Sequence, residues 1–217
     1  MDTRADDVRM EVNDDWAQRV RRRLSAAHVA CVNLLSGPGS GKTTLIEAAL
    51  RSLQGIPRIA VIEGERHTAL DVARIVTCGA RVIRVDAEPE RHLEAKQVDH
   101  ALEHFDLSSV DLLMVENAGN LAYSAPVDLG ESYRVTVLSV SQGHEQTEKY
   151  PELFRNTDLV ILNKIDLLPH VDFDLVHFNE TLNRLYPNVP TIQVSCRAGT
   201  GIREWCGWLR TISGTAI

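Results

Sequence analysis

Residues Ser36 to Thr44 read SGPGSGKTT, and this stretch decides the fold. Before it lies HVACVNLL, an apolar and β-branched run; after it, TTLIEAALRSL has helical periodicity. A strand entering a glycine-rich turn that opens a helix lets backbone amides wrap a phosphate at the positive helix end. The spacing predicts a strand over 29–35 and a helix from Lys42 to about Leu53. Gly37, Gly39 and Gly41 free the turn, with Pro38 and Ser40 between them. Lys42 can reach the β- and γ-phosphates, the Thr43 hydroxyl can ligate Mg²⁺, and Thr44 completes the expected phosphate-binding set. The strict G-x-x-x-x-G-K-[ST] pattern has a glycine where this chain has Ser36.

Further along the chain, apolar runs recur at PRIAVIEG, ARVIRV, VDLLMVEN, YRVTVLSV, DLVILNK and PTIQVS, most of them separated by helical periodicity. LLMV and LVIL do not alternate, as befits strands buried on both faces. The prediction is an α/β fold of the P-loop NTPase kind, a mainly parallel β-sheet flanked by helices on both faces. At 217 residues and 44% apolar, without repeat or linker, the chain reads as one domain over 28–217 with an N-terminal helical extension over 1–27. There Trp16, Val20 and Leu24 recur at four-residue spacing, which predicts an amphipathic helix with the arginines of RVRRRL on a solvated basic edge.

The formal net charge of −7 argues against a nucleic-acid partner, since holding a phosphodiester backbone takes clustered Lys and Arg. No apolar run reaches the roughly 18 residues of a membrane span, and the acidic N-terminus lacks the features of a signal peptide. Cys31, Cys78, Cys196 and Cys206 include no CxxC pair, so no local metal knuckle is encoded. A cytoplasmic location with reduced thiols is expected, with no membrane partner.

DLVILNKIDLLP places Asn163, Lys164 and Asp166 just past a buried strand. Guanine has neighbouring N1–H and N2–H donors that one carboxylate accepts together, a role suited to Asp166. Asn163 can contact O6 or N7, and Lys164 can lie along the ring face. Ser195 and Cys196, after TIQVS, occupy the usual place of a backbone-amide contact to O6. GTP and GDP are therefore the expected nucleotides. In VDLLMVENAGN, Glu116 ends a strand and Gly119 follows it, at positions where GTPases sense Mg²⁺ and the γ-phosphate.

With those residues located, the chain resembles the nickel-incorporation GTPases of hydrogenase maturation (HypB type). They belong to the dimerising SIMIBI class, which includes the signal-recognition and urease-accessory GTPases. The resemblance runs from about Val32 to Leu209 through NLLSGPGSGKTTLIE, VIEGERHTALDVARI, RHLEA, VENAGNL, VDLGE, KYPELF, NKIDLLP and GTGIREWCGWL. That family commonly carries serine at the place of Ser36. The resemblance implies a homodimer when GTP is bound, a metallochaperone partner and a metalloenzyme precursor that receives the metal. It assigns Glu65 as the switch acid, usually Asp in the family, and leaves direct and water-mediated Mg²⁺ contact both open.

The family's interface metal site uses a Cys-His pair before L-[DE]-A and a cysteine after ENxGN-L. Here those places read Arg91-His92 and Tyr123, so His92 is what remains, a weak candidate ligand for Ni²⁺ or Zn²⁺. His67, His100, His104 and His144 are further candidates. His100 and His104 are four apart on an expected helix, a spacing that can hold one metal and that equally fits an ordinary amphipathic surface. Two functions follow: a metallocentre-assembly GTPase whose partner carries the metal, or a nucleotide-dependent protein-interaction switch with no metal in its cycle.

Overall fold

The computed structural model describes residues 3–64, 69–85, 93–117 and 127–215. Among these residues seven strands form the centre: β1 (Ala30–Ser36), β2 (Ile59–Gly64), β3 (Arg81–Val85), β4 (Leu112–Glu116), β5 (Tyr133–Ser139), β6 (Leu159–Asn163) and β7 (Thr191–Val194). All ladders are parallel, in the order β3-β2-β4-β1-β5-β6-β7. The predicted mainly parallel sheet is thus wholly parallel. Each of the seven apolar runs supplied one strand.

Helices cover both faces, and the alternation of side chains along each strand says which. On one face Val32, Leu34, Val61, Met114, Val137 and Ile161 pack against α2 (Lys42–Leu53) and the C-terminal helix Ile202–Ile212. On the other, Cys31, Ala60, Ile62, Leu113 and Val115 meet α1 (Thr3–Ala26) and the helix Ala95–Leu102. Among the described residues no helix is long and apolar enough to cross a membrane. Because crossovers diverge on either side of β1, a crevice opens outside the C-terminal strand ends.

The N-terminal helix is seated on the domain. Ala17, Val20 and Leu24 are buried, while Trp16 stays partly exposed and meets His100 edge-on. Its basic edge is not simply solvated, as the sequence pattern suggested. Arg19 and Arg23 reach the fully buried Asp99 carboxylate at 3.1 and 2.8 Å, and Arg21 meets Asp128 at 2.9 Å. A carboxylate removed from water needs such partners, and the arginine fork provides them. Burial alone would raise the Asp128 carboxyl, but the Gly130 N–H and the Arg21 guanidinium outweigh it and hold the group below the usual range.

Asn13 ties two further strips of chain to this helix: its Nδ2 donates to the Asp128 carbonyl at 2.7 Å, and its Oδ1 accepts from the Ala95 N–H at 2.9 Å. Gly130 lies against the same helix at φ +80, where a Cβ would sit 2.5 Å from the Ala17 carbonyl oxygen. Gly130→Ala should combine left-handed strain with overpacking and lower stability by about 2 to 4 kcal/mol. Thermal denaturation should then show Tm falling by roughly 4 to 16 °C; a shift under about 1 °C would mean that helix and loop are not in contact.

Candidate nucleotide-binding site

β1 delivers the chain to a loop that turns through Gly39 (φ +73) and Gly41 (φ +97), the latter serving as N-cap of α2. Among the described residues no side chain caps that helix, and its first turn holds no acidic residue. Its leading N–H groups and positive dipole end therefore suit an anion in the crevice. Lys42 is almost fully buried, and its Nζ donates to Ser36 Oγ at 2.6 Å. Ser40 Oγ, buried in the loop, has no hydrogen-bond partner among the described residues. Thr44 is turned away: its hydroxyl accepts from Arg74, on the helix Ala69–Thr77, at 3.3 Å.

Thr43 Oγ1 donates to Glu116 Oε1 at 2.7 Å. This pairing brings a hydroxyl and a carboxylate, both hard oxygen donors, to the mouth of the loop, and such a set fits Mg²⁺. A second acid, unremarked in the sequence, lies beside them. Glu63 at the end of β2 is fully buried and stands in register with Glu116 at the end of β4. Its signal in the sequence is a carboxylate next to the end of an otherwise apolar strand. Glu65 and Gly119 lie outside the described residues.

The base side is joined to the phosphate side by direct bonds. Asn163 Nδ2 donates to the Ser40 carbonyl at 2.9 Å, and Lys164 Nζ donates to the Gly39 carbonyl at 2.6 Å. Asn163 Oδ1 accepts from the Lys164 N–H at 2.8 Å, fixing the amide's orientation. One of the Asn163 donors expected at the base is thus spent on the loop. Asp166 Oδ1 accepts from Ser195 Oγ at 2.6 Å, and Ser195 Oγ in turn accepts from the Ala198 N–H at 3.0 Å. Ser195 therefore contributes its hydroxyl, since its amide already donates to the Thr200 carbonyl at 3.0 Å. Burial pushes the Cys196 thiol up to about 11, although its contact with Asn163 works in the opposite direction. Gln142, which the motif reading passed over, reaches the Pro38 carbonyl at 3.3 Å.

Among the described residues the candidate histidines do not meet at one site. His100 and His104 are both exposed and line a shallow cavity of about 280 Å³ with Arg84 and Gln97. His144 Nδ1 accepts from the Asp174 N–H at 3.3 Å, with its ring beside His177. Among the described residues no group of three or more His, Cys, Asp or Glu side chains could hold a metal. His67, Arg91, His92 and Tyr123 lie outside the described residues.

Loop, acids and base motif therefore converge on one crevice, an arrangement able to hold a purine nucleotide with its phosphates on α2 and its base near Asp166. Comparison with known proteins places the chain among nucleotide-binding domains. The family described as CobW/HypB/UreG, nucleotide-binding domain, matches residues 31–193. A hydrogenase maturation factor HypB from Azotobacter vinelandii is 40% identical over 205 residues, covering 94% of this chain and 68% of that protein. The crystal structure of HypB from Archaeoglobus fulgidus superposes with a TM-score of 0.89 at 33% identity, covering 94% of this chain and all of that one. That of HypB from Helicobacter pylori in complex with nickel gives 0.87 at 28%, covering 93% and 95%. The chain belongs to the CobW/HypB/UreG family of P-loop GTPase domains, in its HypB group.

Proposed function

We propose that the chain binds GTP with Mg²⁺, hydrolyses it to GDP, and uses that cycle to time the insertion of nickel into a hydrogenase or a related metalloenzyme. In this reading it is a cytoplasmic homodimer when loaded with GTP, and a metallochaperone partner carries the metal to the enzyme precursor. The observation that carries the nucleotide part is the double tie of Asn163 and Lys164 to the carbonyls of Ser40 and Gly39. In this reading those bonds join the guanine motif to the phosphate loop in one site. The nickel part is supported by the relatives' description as hydrogenase maturation factors and by the nickel-bound neighbour.

In this mechanism the amides at the start of α2 bind the phosphate oxygens, and the Lys42 ammonium meets the charge that grows on the β–γ bridging oxygen as the bond breaks. Mg²⁺, when bound, neutralises β- and γ-phosphate charge, with Thr43 and Glu116 as the residues that would hold it. Asp166, fixed by the Ser195 hydroxyl, presents its carboxylate to the guanine N1–H and N2–H. Neither an arginine nor a glutamine is assigned to the attacking water, so turnover without a partner is slow.

The second reading, an interaction switch with no metal in its cycle, draws on Arg91 and Tyr123 at the family's thiolate places. An arginine there adds a cation where a metal would sit. Equilibrium dialysis against nickel and zinc, on GDP-loaded and GTP-loaded protein with His92→Ala alongside, should reveal no submicromolar site, while GTP-dependent dimerisation persists. Submicromolar binding would contradict this, and if His92→Ala kept it, His100 and His104 would be the next ligands to substitute. Dimerisation that depends on added metal would favour a metal in the cycle, and nickel handover reconstituted with partner and precursor would establish it.

Two substitutions test the nucleotide assignment. Asp166→Asn replaces an acceptor by an amide and should weaken GTP and GDP by roughly 2 to 4 kcal/mol in isothermal titration; equal GDP binding by variant and parent would refute the base assignment. Lys42→Ala should abolish hydrolysis. Parent turnover above about 10 per second without any partner would contradict the slow switch.

A further inference from the structure

Ser36 stands where the common phosphate-loop pattern has a glycine, and its side chain has a defined task. It is the last residue of β1 and shares a face with Val32 and Leu34, so its hydroxyl is fully buried on the α2 side of the sheet. The single hydroxyl proton goes to the Gly37 carbonyl at 2.9 Å. What the oxygen offers its other neighbour is therefore a lone pair. That neighbour is Lys42 Nζ, at 2.6 Å.

We propose that Ser36 is a positioning residue for catalysis. It holds the Lys42 ammonium at the loop, in the place from which that charge meets the β- and γ-phosphate oxygens. The proposal rests on the GTPase reading above. Lysine is a compact charge on a flexible stem with large rotamer entropy. A fixed acceptor at its tip removes much of that freedom before the nucleotide arrives, so less reorganisation is left for the moment when charge develops. In this reading the loop amides, Thr43 and the base motif also hold the nucleotide in the ground state. The loss of Ser36 should therefore fall mainly on the chemical step.

Ser36→Ala should lower single-turnover kcat by about tenfold to a hundredfold, the effect of deleting a hydrogen bond to a charged group, while GDP affinity changes by less than about threefold. Ser36→Thr keeps a hydroxyl and should return kcat to within about threefold of the parent. Ser36→Gly restores the common pattern yet lacks the hydroxyl, and should behave like Ser36→Ala. In a Lys42→Ala background the substitution should cost no further GTP affinity, because the serine acts through the lysine. Parent-level kcat in Ser36→Ala, failure of Ser36→Thr to rescue, or an added loss of affinity in the Lys42→Ala background would each overturn the proposal. If Ser36→Ala does not fold, Ser36→Cys fills the same space with a poor acceptor: reduced kcat supports the role and parent-level kcat overturns it. A parent that hydrolyses no GTP overturns the GTPase reading itself, and the proposal with it.

Discussion

The crevice depends on a turn that has no room for a side chain. Gly41 sits at φ +97, and a Cβ there would lie 2.6 Å from Asn163 Nδ2. Because the space is open, the end of β6 can approach the β1–α2 turn closely enough for Asn163 to bond the Ser40 carbonyl. Lys164, itself left-handed at φ +61, then curls back to reach Gly39. A non-glycine residue held in that region costs about 1 to 2 kcal/mol, which the surrounding bonds must offset. The phosphate loop is shaped as much by β6 as by its own glycines.

The sheet supplies the second constraint. Parallel strands buried on both faces are mostly apolar along their length, and the few polar side chains inside them, such as Asn33 and Thr136, are hydrogen-bonded. On the α2 side the apolar positions Leu34, Val61, Met114 and Ile161 are each followed two residues later by a polar one: Ser36, Glu63, Glu116 and Asn163. Register places these polar ends side by side, with Glu63 opposite Glu116 and Ser139 opposite Asn163. The change from apolar to polar along one face of each strand is what builds the crevice floor.

On the opposite face α1 plays a comparable part for the rest of the chain. Asn13 binds both Ala95, at the start of a helix, and Asp128, in the strip leading to β5, while two arginines neutralise the buried Asp99. Hydrophobic contact alone would let such a helix slide along its axis. Directed bonds to fixed points on two other segments set its register.

Legible in the sequence alone were the seven strands seen among the described residues, the phosphate loop with the helix that follows it, and the N-K-x-D tetrapeptide, because each is a local pattern. Hydrophobic runs, glycine placement and residue chemistry at fixed spacing need no distant partner to be legible. Illegible there, and set by the folded chain, are bonds between residues far apart in sequence: Asn163 to Ser40, Ser195 to Asp166, Thr43 to Glu116, and the arginines of α1 to Asp99 and Asp128. Even the tie from Lys42 to Ser36, six residues apart, depends on the loop's closing back on β1. The physical reason is directional. A side chain's type tells which bonds it can make, but its partner is whichever group the fold brings within about 3 Å and aligns, and that follows from strand order, which no local pattern encodes.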